Sequence, residues 1–213
     1  MGFKLFDLSQ TMRDAATSYP GNRTGLRVER LPTKNADSQL SCFTLFDPHC
    51  GTHLDAPRHF VAAGLDVAEL PLAVLPATVV AAEGPRIGPE AFARLGPLRG
   101  RAVLVHTGWE IHAGSPAYYR DYPCPTPEAA AWLVGQGIAL LGLDTPSADP
   151  IAQPLVFPVH ETVLGAGVPI VEGLVGLDRL LGLKDPLFFL GLPLKLEGVE
   201  GSPIRAAAMV VED

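Results

Sequence analysis

Apolar runs of strand length alternate with glycine and proline along the whole chain. Runs at Phe3–Leu8, Leu40–Phe46, Thr78–Ala82, Ala102–Thr107, Ile138–Leu143, Val168–Val171, Leu187–Leu192 and Arg205–Val211 predict strands. Several are apolar at consecutive positions rather than at alternate ones, the pattern of a strand covered on both faces. Helical signals are fewer. Thr126-Pro127-Glu128 opens the clearest one, with Thr126 as N-cap, Pro127 in the first helical position and Gly135 or Gly137 as the stop. Pro89–Leu95 and, more weakly, Leu174–Leu181 are flanked by comparable signals. The 21 prolines and 22 glycines are spread as turns between these elements, with no repeat and no linker. The pattern predicts one α/β domain over residues 1–213, a mixed β-sheet with helices on its outside.

Composition narrows the partners. The formal charge of −7 comes without a basic cluster, so neither nucleic acid nor an anionic membrane is expected. No apolar stretch reaches membrane-spanning length and the N-terminus has no signal core, so a cytoplasmic protein is expected. Hydrophobic residues at 47% against 18% charged suggest that some surface is buried in an oligomer. Three cysteines cannot all pair and form no CxxC, which fits a reducing compartment.

The chemistry concentrates at residues 49–59. His49, His53 and His59, three of the six histidines, share this stretch with Asp55. Neutral imidazoles and a carboxylate are the ligands that zinc, manganese or iron takes from proteins. His53 and Asp55 are two apart, so an extended segment presents both on one face. His49 joins them if the chain turns at Gly51-Thr52, and Pro48 and Pro57 argue against an uninterrupted helix. Cys50 points away from its neighbour His49 and reads as a packed thiol. Three protein ligands leave a coordination position open, the mark of a catalytic rather than a structural site.

Further ligands must come from distant sequence. His160 follows a Pro-rich stretch, and Glu172 ends the apolar run Val168–Val171. A carboxylate there is either at the exposed end of its strand or buried and offset by a metal; the residues alone leave both open. Asp144, at the end of another apolar run, reads first as a turn-binding carboxylate and second as an orienting partner for a histidine. His106 and His112 read as ordinary residues. G-x-S-x-G and phosphate-binding glycine loops are both missing, which removes the common serine-hydrolase and nucleotide-binding readings.

These residues resemble a known family. Phe6-Asp7-Leu8-Ser9, Tyr19-Pro20-Gly21, the His49–Phe60 motif, Gly142–Ser147, Val171–Leu174, Leu192–Lys195 and Gly201–Ala206 together resemble the metal-dependent cyclase-like hydrolases, above all the bacterial kynurenine formamidases. The resemblance implies a layered β/β/α arrangement of the swivelling-domain, cyclase-like kind, and a homodimer or higher oligomer. It implies two zinc ions per subunit, with manganese or iron as other occupants. His49 and His53 would hold one ion and His160 the other, Asp55 and Glu172 would be shared, and His59 would be the acid–base residue. The isatin hydrolases resemble the chain in the first motif but lack the glutamate at the position of Glu172, which favours the two-metal type here. The implied reaction is attack of a metal-activated hydroxide on the amide of a small molecule such as N-formyl-L-kynurenine, giving L-kynurenine and formate. Formamidases carry Trp where this chain has Tyr19, the expected aryl-binding residue, so another aryl or cyclic amide is the alternative substrate. A non-catalytic metal-binding module is the more distant alternative.

Overall fold

The computed structural model describes residues 2–15, 25–33, 38–45, 47–151, 155–183 and 186–212. In chain order the strands are β1 (Gly2–Asp7), β2 (Leu26–Leu31), β3 (Leu40–Leu45), β4 (His53–Asp55), β5 (Leu75–Ala81), β6 (Arg86–Ile87), β7 (Ala102–His106), β8 (Cys124–Pro125), β9 (Leu140–Leu143), β10 (Ile170–Glu172), β11 (Leu187–Pro193) and β12 (Gly201–Glu212). The helices are α1 (Pro127–Gly135) and α2 (Pro158–Gly165).

The main sheet runs β1-β12-β11-β5-β7-β9-β10-β4, and β4 also pairs with β12. That extra pairing closes the sheet on itself in a barrel-like arrangement. Strands β5, β7, β9 and β10 run parallel to their neighbours among them, while β11, β12, β1 and β4 pair antiparallel. The expected mixed α/β architecture is what the chain adopts. Two further pairs stand apart from this sheet, β2 with β3 and β6 with β8.

The consecutively apolar runs have a clear cause. Val103, Val105, Leu141, Leu143 and Ile170 face one core, which they share with α1 and α2. Ala102, Leu104, Leu140 and Val171 face a second core on the other side, with Leu54, Leu174 and Phe189. Alternate residues of one strand therefore enter different cores, and neither face meets water. The interior leaves little room: a Cβ on Gly142 would lie 2.6 Å from Leu104 Cδ2 and 2.9 Å from Leu174 Cδ1.

Helix α1 begins as expected, with the Thr126 hydroxyl accepting from Ala129 N at 3.2 Å and Pro127 in the first turn. Two expected helices are only single 3-10 turns, at Pro89–Ala91 and Leu177–Leu180. Helix α2 has no side-chain cap from Phe157, the residue before it. Its first amides are instead met by the Asp149 carboxylate, which accepts from Val159 N at 3.0 Å and His160 N at 2.9 Å.

Candidate metal centre

Strand β4 carries the motif into the middle of the fold. It is three residues long, wholly buried, and paired on both edges. Against β10 its register sets His53 opposite Glu172; against β12 it sets Asp55 opposite Gly201. His53 and Glu172 thus share one face as a direct cross-strand pair. The turn before β4 passes through Gly51 at φ 69°, and Asp47 Oδ1 accepts from His49 N at 2.9 Å to fix its start. His49 then folds back over Gly201, where a Cβ would stand only 2.9 Å from its Cε1. The missing side chain at 201 is what gives the imidazole its place.

The five expected ligands converge. Asp55 Oδ1 lies 2.7 Å from His49 Nδ1 and 3.5 Å from His53 Nε2, while its Oδ2 lies 3.6 Å from His160 Nε2. Glu172 is divided in the same way, with Oε2 3.4 Å from His53 Nε2 and Oε1 3.1 Å from His160 Nε2. Each carboxylate therefore offers one oxygen to the His53 side and one to the His160 side. Glu172 is 4% exposed, so the exposed strand-end alternative is removed. His59, in the 3-10 turn Pro57–His59, sets its ring 4.3 Å from that of His49 and 6.1 Å from that of His160. Phe60 stacks on His160 at 5.1 Å.

This donor set fits a divalent cation. His49 Nε2, His53 Nε2 and Asp55 Oδ2 are buried with no hydrogen-bond partner, a costly condition that a bound ion relieves. Atoms of His53, Asp55 and Glu172 lie within 4.8 Å of one another, as do those of His49, Asp55 and His59. The electrostatics agree. Burial opposes a charged His49, yet Asp55, Glu200 and Glu172 overcome it and push its pKa up to about 10. Burial likewise opposes a charged His160, but Asp149, Asp55 and Glu172 hold its pKa well above the usual histidine value. Without a metal these carboxylates draw protons onto the rings; a cation in the same field displaces them. His59 differs, because burial is the dominant influence and lowers its pKa.

Above the centre opens a cavity of about 470 Å³, walled by Met12, Phe60, Tyr118, Tyr119 and Phe157 among others. A pocket of this size, with aromatic walls beside the polar Gln10, Arg13 and Asp14, suits a small aromatic molecule that carries polar groups. Tyr19 lies outside the described residues. His106 is absent from the cavity wall and sits 3.2 Å from Asp144. Asp144 takes Thr107 N, Thr107 Oγ1 and Gly108 N at 2.6–2.8 Å, the turn-binding role. Cys50 is fully buried, and burial pushes its thiol up to about 11, as a packed thiol requires.

Two neighbours of the centre are not evident in the sequence reading. Glu200 Oε1 stands 3.6 Å from His49 Nε2, and Asp149 Oδ2 accepts from His160 Nδ1 at 2.7 Å. Asp149 shares the segment of Asp144, and only the backbone path separates their roles.

The Cyclase family model, described as "Putative cyclase", matches residues 6–150, more than half of the chain. The chain belongs to this family. A kynurenine formamidase of Geobacillus thermodenitrificans is 31% identical over 206 residues, covering 94% of this chain and 95% of its own length. A kynurenine formamidase of Salinibacter ruber is 30% identical over 208 residues, covering 95% of each. Among solved structures, isatin hydrolase A of Ralstonia solanacearum superposes with a TM-score of 0.83 at 26% identity, covering 98% of this chain and 92% of that one. The family match includes His49, His53, Asp55 and His59; the full-length relatives extend the likeness past His160 and Glu172.

Proposed function

We propose that the chain is a metal-dependent hydrolase of amide C–N bonds, acting as an arylformamidase on N-formyl-L-kynurenine. The observation that carries this reading is the division of Asp55 and Glu172, one oxygen of each toward either side, among His49, His53 and His160. Two zinc ions per subunit would suit that arrangement: His49 and His53 would hold one, His160 the other, and Asp55 and Glu172 would be shared. When bound, such ions supply an acidified water and an electrophile for the carbonyl.

The chain's own residues do the rest. His59 stays neutral near pH 7 because burial lowers its pKa, so it can take the proton of the attacking water. As the water oxygen bonds to the formyl carbon and the C–N bond breaks, His59 returns that proton to the departing nitrogen. An unprotonated amine would be a poor leaving group. The aromatic walls given by Phe60, Tyr118, Tyr119 and Phe157 exclude water around the aryl ring. Tyr19 is assigned to the same ring on the strength of its place before Pro20-Gly21.

A homodimer in the cytoplasm completes the proposal. The β2–β3 hairpin exposes Val28, Leu31, Leu40 and Phe43, and a lone two-stranded hairpin is marginal in water unless something covers it. No helix among the described residues is long and apolar enough to cross a membrane.

The test is hydrolysis of N-formyl-L-kynurenine with metal analysis, with and without a chelator. Turnover that stops on chelation and returns with zinc or manganese is the expected result. The similarity to isatin hydrolases favours cyclic amides as a second reading, so isatin belongs in the same assay. A protein with no metal and no chelator sensitivity would remove both.

A further inference from the structure

We propose that Asp149 is a positioning residue that commits His160 to a metal through Nε2 and makes the two sides of the centre unequal. The proposal rests on the metal-hydrolase reading above and concerns a residue outside its ligand set.

Asp149 is 1% exposed, in the segment that leads from β9 toward α2. Its Oδ2 accepts from His160 Nδ1 at 2.7 Å, from His160 N at 2.9 Å and from Val159 N at 3.1 Å, and its Oδ1 accepts from Val159 N at 3.0 Å. An ionised carboxylate only accepts, so the shared hydrogen belongs to Nδ1. Nε2 faces Glu172 Oε1 at 3.1 Å and Asp55 Oδ2 at 3.6 Å and is the nitrogen whose proton a cation would displace. The same carboxylate ties down the first amides of α2, so ring and backbone of His160 are fixed by one group. Tautomer, ring plane and helix start cannot drift apart.

The other side is held differently. His53 Nδ1 meets the carbonyl of Gly51 at 2.9 Å, which selects the same tautomer but carries no charge. A carboxylate behind an imidazole raises its basicity, and hence its strength as a ligand, more than a carbonyl does. The outlying carboxylate of the first side, Glu200, stands 3.6 Å from His49 Nε2, whereas Asp149 is hydrogen-bonded to His160 Nδ1 at 2.7 Å, on the ring nitrogen turned away from the shared carboxylates. The His160 ring therefore depends on a carboxylate hydrogen-bonded behind it, and the His53 ring on a carbonyl.

The experiment is zinc titration of metal-free wild type and Asp149→Asn against a chromophoric chelator, beside thermal melts of both metal-free proteins. The amide keeps the size of the side chain but removes the charge. Expected is one site of unchanged affinity and one weakened by about 10- to 100-fold. Two sites of wild-type affinity in the variant would overturn the proposal. Equal weakening of both, with a lower metal-free melting temperature, would overturn it in favour of a helix-capping role alone. Wild type that takes up no zinc would sink the hydrolase reading itself, and the proposal with it. Because the variant can fail to fold, a second measurement uses the wild type: nitrogen-resolved NMR of the zinc-loaded protein. A slowly exchanging proton on His160 Nδ1 is expected, and coordination through Nδ1 would refute the assignment.

Discussion

The His49–Asp55 half of the centre comes from one unbroken segment, whereas the His160 half is assembled from three. In the first half, ligands sit on a strand and the turn before it, and β4 is clamped between β10 and β12. In the second, Asp149 leaves one loop, His160 opens a helix and Glu172 ends a strand. Asp55 and Glu172 reach into both. The difference teaches where precision comes from: short-range chain geometry in one half, tertiary packing in the other. Changes to the shared residues should therefore be the most damaging, and changes to either half's supports more selective.

Removing Asp55 breaks the comparison outright. Asp55→Ala should lose metal on both sides and cut kcat/KM by about 10³-fold or more, as metal analysis and steady-state kinetics on the formamide would reveal. His59→Ala should keep full metal content and lower kcat by about 10²–10⁴-fold. The same residue sets a sign for pH. Its pKa is lowered and the neutral form is the working base, so wild-type kcat/KM should fall as pH drops through a value below 6.5; that acid limb should be missing in His59→Ala. Glu172→Ala sharpens the contrast, because the first side still has His49, His53 and Asp55 while His160 Nε2 keeps only Asp55, at 3.6 Å. Metal content should fall by about half or be lost; an unchanged stoichiometry measured by elemental analysis would exclude Glu172 as a ligand.

Gly201→Ala tests the first half by itself. The new methyl would press on His49, and about a tenfold to hundredfold loss of kcat/KM is expected with His160-side metal retained. The smallest effect should come from Thr126→Ala, a residue of neither half. Loss of the α1 cap should cost about 1 kcal/mol in a urea melt and leave kinetics untouched.

The same contrast explains what could be read from the sequence. His49, His53, Asp55 and His59 are legible because their spacing and their chemistry lie in one window, and Gly51 supplies the turn that the spacing demands. Helix α1 is legible because its cap is the adjacent Thr126. Helix α2 is not, since Phe157 gives no capping signal and the acceptor is Asp149, which only the fold delivers. Glu172 is undecidable from its run of apolar neighbours; what settles its burial is the register that puts it opposite His53. Strands β4, β6 and β8, of three residues or fewer, are too short to leave a periodic trace. Strand β2 does alternate at Leu26 and Val28, but Arg27, Glu29 and Arg30 give it the charge of a loop. Glu200 stays hidden because its only claim to a role is its nearness to His49.

Strand β12 completes the first half in time as well as in space. Ribosomes deliver the histidine-bearing segment early, yet β4 waits for residues 201–203, far later in the chain, before its second edge is paired. Gly201, the surface against which His49 rests, arrives with them. A nascent chain would thus display a loose cluster of histidines long before it owned a finished centre. Its metal is best acquired once β12 has paired with β4 and sealed the barrel.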